Sequence, residues 1–547
     1  MPNDAQTKFP EGSQPKRQDI VAAQRIIADI STGVYRSPAA AIKELVSNAF
    51  DADATKVSIA TDAPSFRTLV VEDNGIGMSI EKFLDVMQHI GGSNKRISYQ
   101  QSEVFKRPLI GRIGIGLLAV AQLGNRFYVS SSQRGKAKRF LAEVNLEPYH
   151  KDAAALMSMQ PSGERDEVHI GAIKYVDNIP EEPDLHYTVI TIPDAKKGIF
   201  SELTGLVRKA VGAEEILAVG KSQIKTFQEI VDTVQASSRA DSALDGYYYM
   251  LWELGLICPL NYLPKAPFDS SKRKIINASS VTIPRIKNFC VEVDGVELKR
   301  PQRFPNKVAE KYGSPDPIVF PVDYDRKIAG RRLALRGYVY LQQPRIQPEE
   351  LKGVHIRIRN VGIGNYDKSW LGYPFNEGQK FGQITGEIYV DEGLEAALNI
   401  DRDSFRETDV HYQALKAYVW SLLRKEVFPQ FKQRQKHYTK VRQKRFKSGA
   451  DRRFNRAIAE LPAPMTGPPE IRSAAAPTLL AGLKNSSKHL LLDASKWKAL
   501  IHESDLSKDA EERLIKVLQA LTSAELLHDF DEEEFELLLK ALAIAVQ

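Results

Sequence analysis

Apolar and polar positions follow two rhythms along the chain. From Ile20 to about Ala195, stretches with helical spacing alternate with short strand-like runs: TKVSIAT, RTLVVED, RFYVSSS and HYTVITI. The last alternates polar and apolar residues, as a half-buried strand does. Helices covering a sheet in this way predict an α+β domain over residues 19–199. A helical connector is expected over 200–274 and a second α+β domain over 275–429. The strands of that second domain lie in NFCVEVDG, RLALRGYVYLQ, VHIRIRNVGI and GQITGEIYVD, and its helix in VHYQALKAYVWSLLRKEVF. A basic helical segment (430–460), a Pro- and Gly-rich linker (461–484) and an acidic amphipathic helical tail (485–547) complete the chain. Residues 1–18 read as a disordered arm.

Composition adds exclusions. The 547 residues suffice for roughly three domains. Two cysteines, Cys258 and Cys290, build neither a disulfide framework nor a four-ligand zinc site, and read as reduced thiols of a cytoplasmic protein. The polar start predicts no signal peptide, and no run of about 18 apolar residues predicts a membrane span. The net charge of +7 matters only where it concentrates. It does so in Arg424–Arg456, with thirteen Lys/Arg against two acids, interleaved with Phe431, His437, Tyr438 and Phe446. Such a run can neutralise nucleic-acid phosphates, or pair with a protein partner or with the acidic tail.

The chemistry begins in AAIKELVSNAFDADATKV. A helix turns about 100° per residue, so Glu44, Asn48 and Asp51 share one face. A solvated polar face is the plain reading. Two glycine loops weigh against it: VVEDNGIGMS after a strand, with Asp73, Gly75, Gly77 and Met78, and LIGRIGIGLLAV ahead of an apolar run, with Gly111, Gly114 and Gly116. Glycine lets backbone amides approach a phosphate closely, and a following helix N-terminus adds donors.

The ordered set E-x-x-x-N-x-x-D-A, D-x-G-x-G-M, G-x-x-G-x-G and a Thr-bearing strand (Thr188) resembles the GHKL ATPase superfamily, which includes DNA gyrase B, the heat-shock 90 chaperones, histidine kinases and MutL. The resemblance covers about residues 40–192 and implies an ATP-binding α/β sandwich of the Bergerat type, with ATP and Mg²⁺ as cofactors. It implies that Asn48 holds Mg²⁺ through its amide oxygen, and that Glu44 polarises the attacking water. Asp51 joins them among the nucleotide-binding residues. By the same resemblance Asp73 accepts the adenine amine, Gly77 and Met78 line the base, and Thr188 assists through its hydroxyl. Gly75 shapes the first loop, and Gly111, Gly114 and Gly116 meet the phosphates. The intervening HIGGSNKRISYQQSEVFKRPLIGR is long, polar and glycine-flanked, as a closing lid would be, and its Lys95 is placed near the γ-phosphate.

Glu44 argues against the histidine-kinase branch, and no phosphoacceptor helix is evident. The segment GVYRSPAAAIKELVSNAFDADAT looks most like MutL. VHIRIRNVGI followed by AALNIDRDSFRETD looks like the middle domain of the heat-shock 90 chaperones, whose arginine reaches the γ-phosphate; here that residue is Arg402. Asp401 and Asp403 flank it and compete for the guanidinium. Neither a topoisomerase acidic cluster nor an Asp-Gln-His endonuclease motif is visible. The resemblance implies a Mg²⁺-dependent ATPase, in all expectation a homodimer, with a clamp-like cycle. The leading reading is a heat-shock-90-like chaperone or remodelling protein acting on a protein client. The alternatives are a MutL-like or MORC-like clamp acting on DNA in repair or defence, and an ATP-sensing interaction protein.

Overall fold

The computed structural model describes residues 4–23, 37–88, 101–110, 119–146, 167–205, 224–237, 239–270, 274–304, 315–399, 403–434, 436, 440, 470–472, 491–523, 527 and 532–547. The chain forms two compact units, Met1–Tyr438 and Thr439–Gln547.

The first unit holds a nine-stranded sheet in the order β1-β6-β5-β4-β7-β3-β2-β8-β9. These strands are β1 (Lys16–Ala23), β2 (Lys56–Ala60), β3 (Leu69–Asp73), β4 (Arg126–Ser132), β5 (Lys138–Asn145), β6 (Glu167–Pro180), β7 (Tyr187–Ile192), β8 (Cys290–Val293) and β9 (Val296–Glu297). Helix α1 (Pro38–Asp51) is built for its place. Ser37 caps it by accepting from the amide of Ala40 at 3.2 Å, and Pro38 sits in the first turn, where a missing N–H costs nothing. Ala39, Ile42, Val46 and Ala49 pack into a core shared with Val57 and Val71 of the sheet, and with Leu251 and Leu254 of a later helix. That later helix, α4 (Gly246–Ile257), follows α2 (Ile80–Gln88) and α3 (Phe227–Ala236).

Two boundaries shift from the sequence reading. The arm expected over residues 1–18 already enters β1 at Lys16, which pairs with Tyr175 of β6; edge pairing supplies the hydrogen bonds that composition hides. The strand in NFCVEVDG, expected in the second α+β domain, instead runs parallel to β2, with Val57 opposite Val291. Val291 and Val293 point into the first core, and β8 covers a strand edge that would otherwise present unpaired amides.

The second sheet of this unit runs β10-β11-β14-β12-β13, with β10 (Ile318–Ile328), β11 (Arg331–Leu341), β12 (Gly353–Ile358), β13 (Val361–Asp367) and β14 (Ile384–Glu392). VHIRIRNVGI, read as one strand, is a hairpin: Arg359 and Asn360 take φ of 53° and 69° between β12 and β13. Helix α5 (Val410–Leu422) covers this sheet through Leu415, Val419 and Leu422.

In the second unit α6 (Ala494–Glu503), α7 (Lys508–Ser523) and α8 (Glu532–Val546) gather around Trp497, Leu514, Leu518 and Phe535. The expected linker contains a short strand, Glu470–Arg472, paired with Leu491–Asp493. Most of the basic run beyond Arg434 lies outside the described residues.

Candidate functional site

Every residue of α1 from Pro38 to Phe50 is buried except Asn48. The solvated-face reading therefore fails for Glu44, which is 2% exposed. Its neighbour Lys43 is 1% exposed, with Nζ 3.7 Å from Glu44 Oε1 and 3.1 Å from Asp403 Oδ1. Asn48, one turn on, opens to solvent, which leaves its amide accessible to a ligand. Asp51 is engaged by the protein itself: its Oδ1 accepts from the Ile110 amide at 2.7 Å, the last residue before the second glycine motif.

Asp73 ends β3, directly opposite Thr188 on β7. Burial pushes its carboxyl up to about 7, against the pull of the Gly75 amide, which donates to Oδ1 at 2.8 Å. The turn that follows allows no side chain at its two glycines. A Cβ on Gly75 would stand 2.6 Å from the Ala52 carbonyl oxygen, just past α1. Gly77 has φ +68°, and a Cβ there would stand 1.9 Å from the Ser132 carbonyl oxygen. The Ile76 amide donates to the Ala52 carbonyl at 2.8 Å, so the turn is tied to the C-terminal end of α1. The Met78 amide donates to Ser131 Oγ at 3.0 Å, and that hydroxyl lies 3.2 Å from Thr188 Oγ1. Helix, turn and two strands thus bring Glu44, Asn48, Asp73, Gly75, Gly77, Met78 and Thr188 into one connected framework.

The near side of the expected lid is pinned to the same helix end. Asp53, at φ 60°, accepts from the amides of Val104 (2.6 Å) and Phe105 (3.0 Å). The buried Arg107 donates to the carbonyls of Phe50, Ala54 and Asn288, and lies over the Phe50 ring at 4.4 Å. Lys43, Asp53, Arg107 and Ser131 were not singled out from sequence. Their partners are distant along the chain, and only the Lys-Glu pair inside an apolar helix signals any of them. Lys95, Gly111, Gly114, Gly116 and Arg402 lie outside the described residues.

Among the described residues no three His, Cys, Asp or Glu gather as a metal site. The exposed Asn48 offers an amide oxygen of the kind that fits Mg²⁺, which keeps several waters and takes phosphate oxygens rather than an all-protein cage.

Residues 35–172 match the family model of histidine kinase-, DNA gyrase B-, and HSP90-like ATPases. The putative type II restriction enzyme HgiDII of Herpetosiphon aurantiacus is 37% identical over 112 residues, 20% of this chain and 18% of that protein. The DNA mismatch repair protein MutL of Rickettsia canadensis is 31% identical over 107 residues, 20% of this chain and 17% of that protein. MutL of Rhizobium meliloti is 48% identical over 58 residues, 10% of each chain. The matched stretch is less than a fifth of the length of each of these relatives.

Proposed function

We propose, from the premise that this chain belongs through its N-terminal region to the GHKL ATPase superfamily, that it is a Mg²⁺-dependent ATP hydrolase driving a clamp-like cycle. One observation carries the reading. Asp73 and Thr188 face each other across β3 and β7, and the turn after Asp73 is bonded to the end of the helix that bears Glu44 and Asn48. Base recognition and water activation thereby share one rigid frame.

In this reading Asp73 accepts the exocyclic amine of adenine, and the Ser131–Thr188 hydroxyl pair holds the base edge. Glu44 takes the proton of the attacking water, and burial shields its carboxylate from bulk solvent. Asn48 would hold the Mg²⁺ ion through its amide oxygen, and the ion would offset charge on the phosphate oxygens. Gly111, Gly114 and Gly116 supply backbone amides to the phosphates, and Lys95 closes over them. Arg402 pairs with γ-phosphate oxygens. The test is Glu44→Ala: the protein keeps its affinity for a fluorescent ATP analogue and loses turnover. Normal turnover would overturn the reading.

The output we favour is action on DNA as a homodimeric clamp. Its support is that relatives named for mismatch repair and restriction match a stretch of this chain, and that the Arg424–Arg456 run carries eleven more basic than acidic residues, thirteen minus two. Duplex DNA should raise the ATPase rate, with the gain lost steeply as salt rises. A heat-shock-90-like remodelling role is the second reading, supported by the docking of Asp403, beside Arg402, on α1. Stimulation by an unfolded protein and indifference to DNA would favour it. An ATP sensor that does not hydrolyse is disfavoured by Glu44.

A further inference from the structure

We propose that Lys43 and Asp403 form a latch, a pair of positioning residues that seats the loop carrying Arg402 against the helix carrying Glu44.

The loop is well built on its own side. The Asn399 amide donates to the Ser404 carbonyl at 3.0 Å, and Asn399 Nδ2 donates to Ser404 Oγ at 2.7 Å. Leu398 bridges Phe405, and the Phe405 ring stacks on Tyr412 of α5 with centroids 5.0 Å apart. This local scaffold belongs to the second sheet and its helix. It holds the two described ends of the loop together but does not set their distance from α1.

Lys43 supplies that distance. Its ammonium reaches 360 residues along the chain to Asp403 Oδ1 at 3.1 Å, and the two side chains are 1% and 7% exposed. The flanking residues of α1 are buried on both sides, and the ammonium is held away from water. A buried cation of this kind is tolerated only when paired, and removing its partner is costly. Lys43 Nζ also lies 3.7 Å from Glu44 Oε1. One ammonium therefore sits between the carboxylate proposed to activate water and a carboxylate next to the arginine proposed to reach the γ-phosphate. Because Lys43 and Glu44 are adjacent on one rigid helix, the ion pair ties Asp403 to the helix that bears Glu44. A misplacement of about 1 Å at such a site can cost on the order of 100-fold in rate.

The inference rests on the hydrolytic reading of Glu44 and Arg402, but the latch itself can be read without turnover. In the full chain, Lys43→Met, Asp403→Asn and the double variant are compared with Lys43→Arg and Asp403→Glu. The readouts are kcat, KM, affinity for a fluorescent ATP analogue, and hydrogen exchange of residues 398–405 without nucleotide. Each disruptive single variant should lower kcat about 10- to 100-fold. Nucleotide affinity should stay within about threefold, and loop exchange should rise. The double variant should be no worse than the worse single, as for two residues acting through one contact. Lys43→Arg should restore most of kcat. Unchanged kcat and unchanged loop exchange in Asp403→Asn would overturn the latch, as would a double variant whose loss is the product of the singles. If Lys43→Met does not fold, Asp403→Asn, altered only on the loop, decides alone. Failure of the parent reading looks different. Arg402→Ala with normal turnover, alongside faster loop exchange in Asp403→Asn, would remove Arg402 from the mechanism and leave the latch standing.

Discussion

Glu44 and Glu387 are both almost fully buried, at 2% and 0% exposure, yet their surroundings differ in kind. Glu387, on β14, is saturated. It accepts from Tyr262, from Gln302 at 3.0 Å, from Tyr389 at 2.8 Å and from Arg357 Nε at 3.0 Å, with Tyr338 and Tyr366 at 3.3 and 3.2 Å. Those donors come from Tyr262 of the connector, Gln302 of the segment after β9 and the second sheet, so the cluster ties the three together. Glu44 stands one helical turn from an exposed amide, on a helix joined to a turn that no side chain larger than hydrogen fits. A shifted acidity does not separate the two places: burial pushes Asp73 up to about 7 and Glu387 up to about 8. What separates them is an opening. A carboxylate enclosed by donors specifies packing, and one beside accessible oxygen and amide groups can act on a ligand.

The contrast can be broken most sharply at Glu44. Glu44→Gln should lower ATP turnover by a factor of about 100 to 10,000 with little change in thermal stability. Arg357→Ala should do the reverse: it removes a buried guanidinium that donates to Glu387 and to the carbonyls of Asn360 and Leu256, and should cost about 3–5 kcal/mol of stability, seen as a lower Tm, while KM for ATP holds. A smaller effect should follow pH. Asp73 becomes a full acceptor only as it loses its proton near 7, so affinity for ATP should rise by up to about tenfold between pH 6 and 8, and Asp73→Asn should flatten that slope while weakening binding. The same shift has a stability consequence of definite sign. The folded state holds this proton more tightly than the unfolded chain does, so the nucleotide-free protein should lose stability as pH climbs from about 4 through about 7. The mildest change is Ser37→Ala, which removes a helix cap and should cost about 0.5–2 kcal/mol in a denaturant titration.

The pocket was the more legible half of the molecule. Asp73, Gly75 and Gly77 announce a turn that must pass close to other backbone, and the two close approaches to Ala52 and Ser132 are the physical content of that spacing. The face shared by Glu44 and Asn48 followed from helical periodicity. Asp51 was legible as to its face but not its partner, because its acceptor role is filled by Ile110, 59 residues away. Lys43 and Arg107 were illegible for the same reason: a buried cation's meaning lies in carboxylates and carbonyls that only folding brings near. In the sheets, β2, β3, β4 and β7 were legible as short strand-like runs, and β7 by its alternation. The hairpin in VHIRIRNVGI hid its turn in Arg359 and Asn360, where glycine would have announced it. The strand β8 was visible, but its allegiance was not, since a parallel partner 234 residues earlier leaves no trace in local pattern.

That late strand bears on synthesis. Because β8 and α4 are both needed to complete the first sheet and the packing around α1, a nascent chain must extend past Val293 before the proposed nucleotide pocket has its final walls. A fragment cut at the end of β7 would keep most of the motif residues yet leave β2 with a bare edge, so the smallest autonomous piece of this protein is about a hundred residues longer than its signature motifs imply.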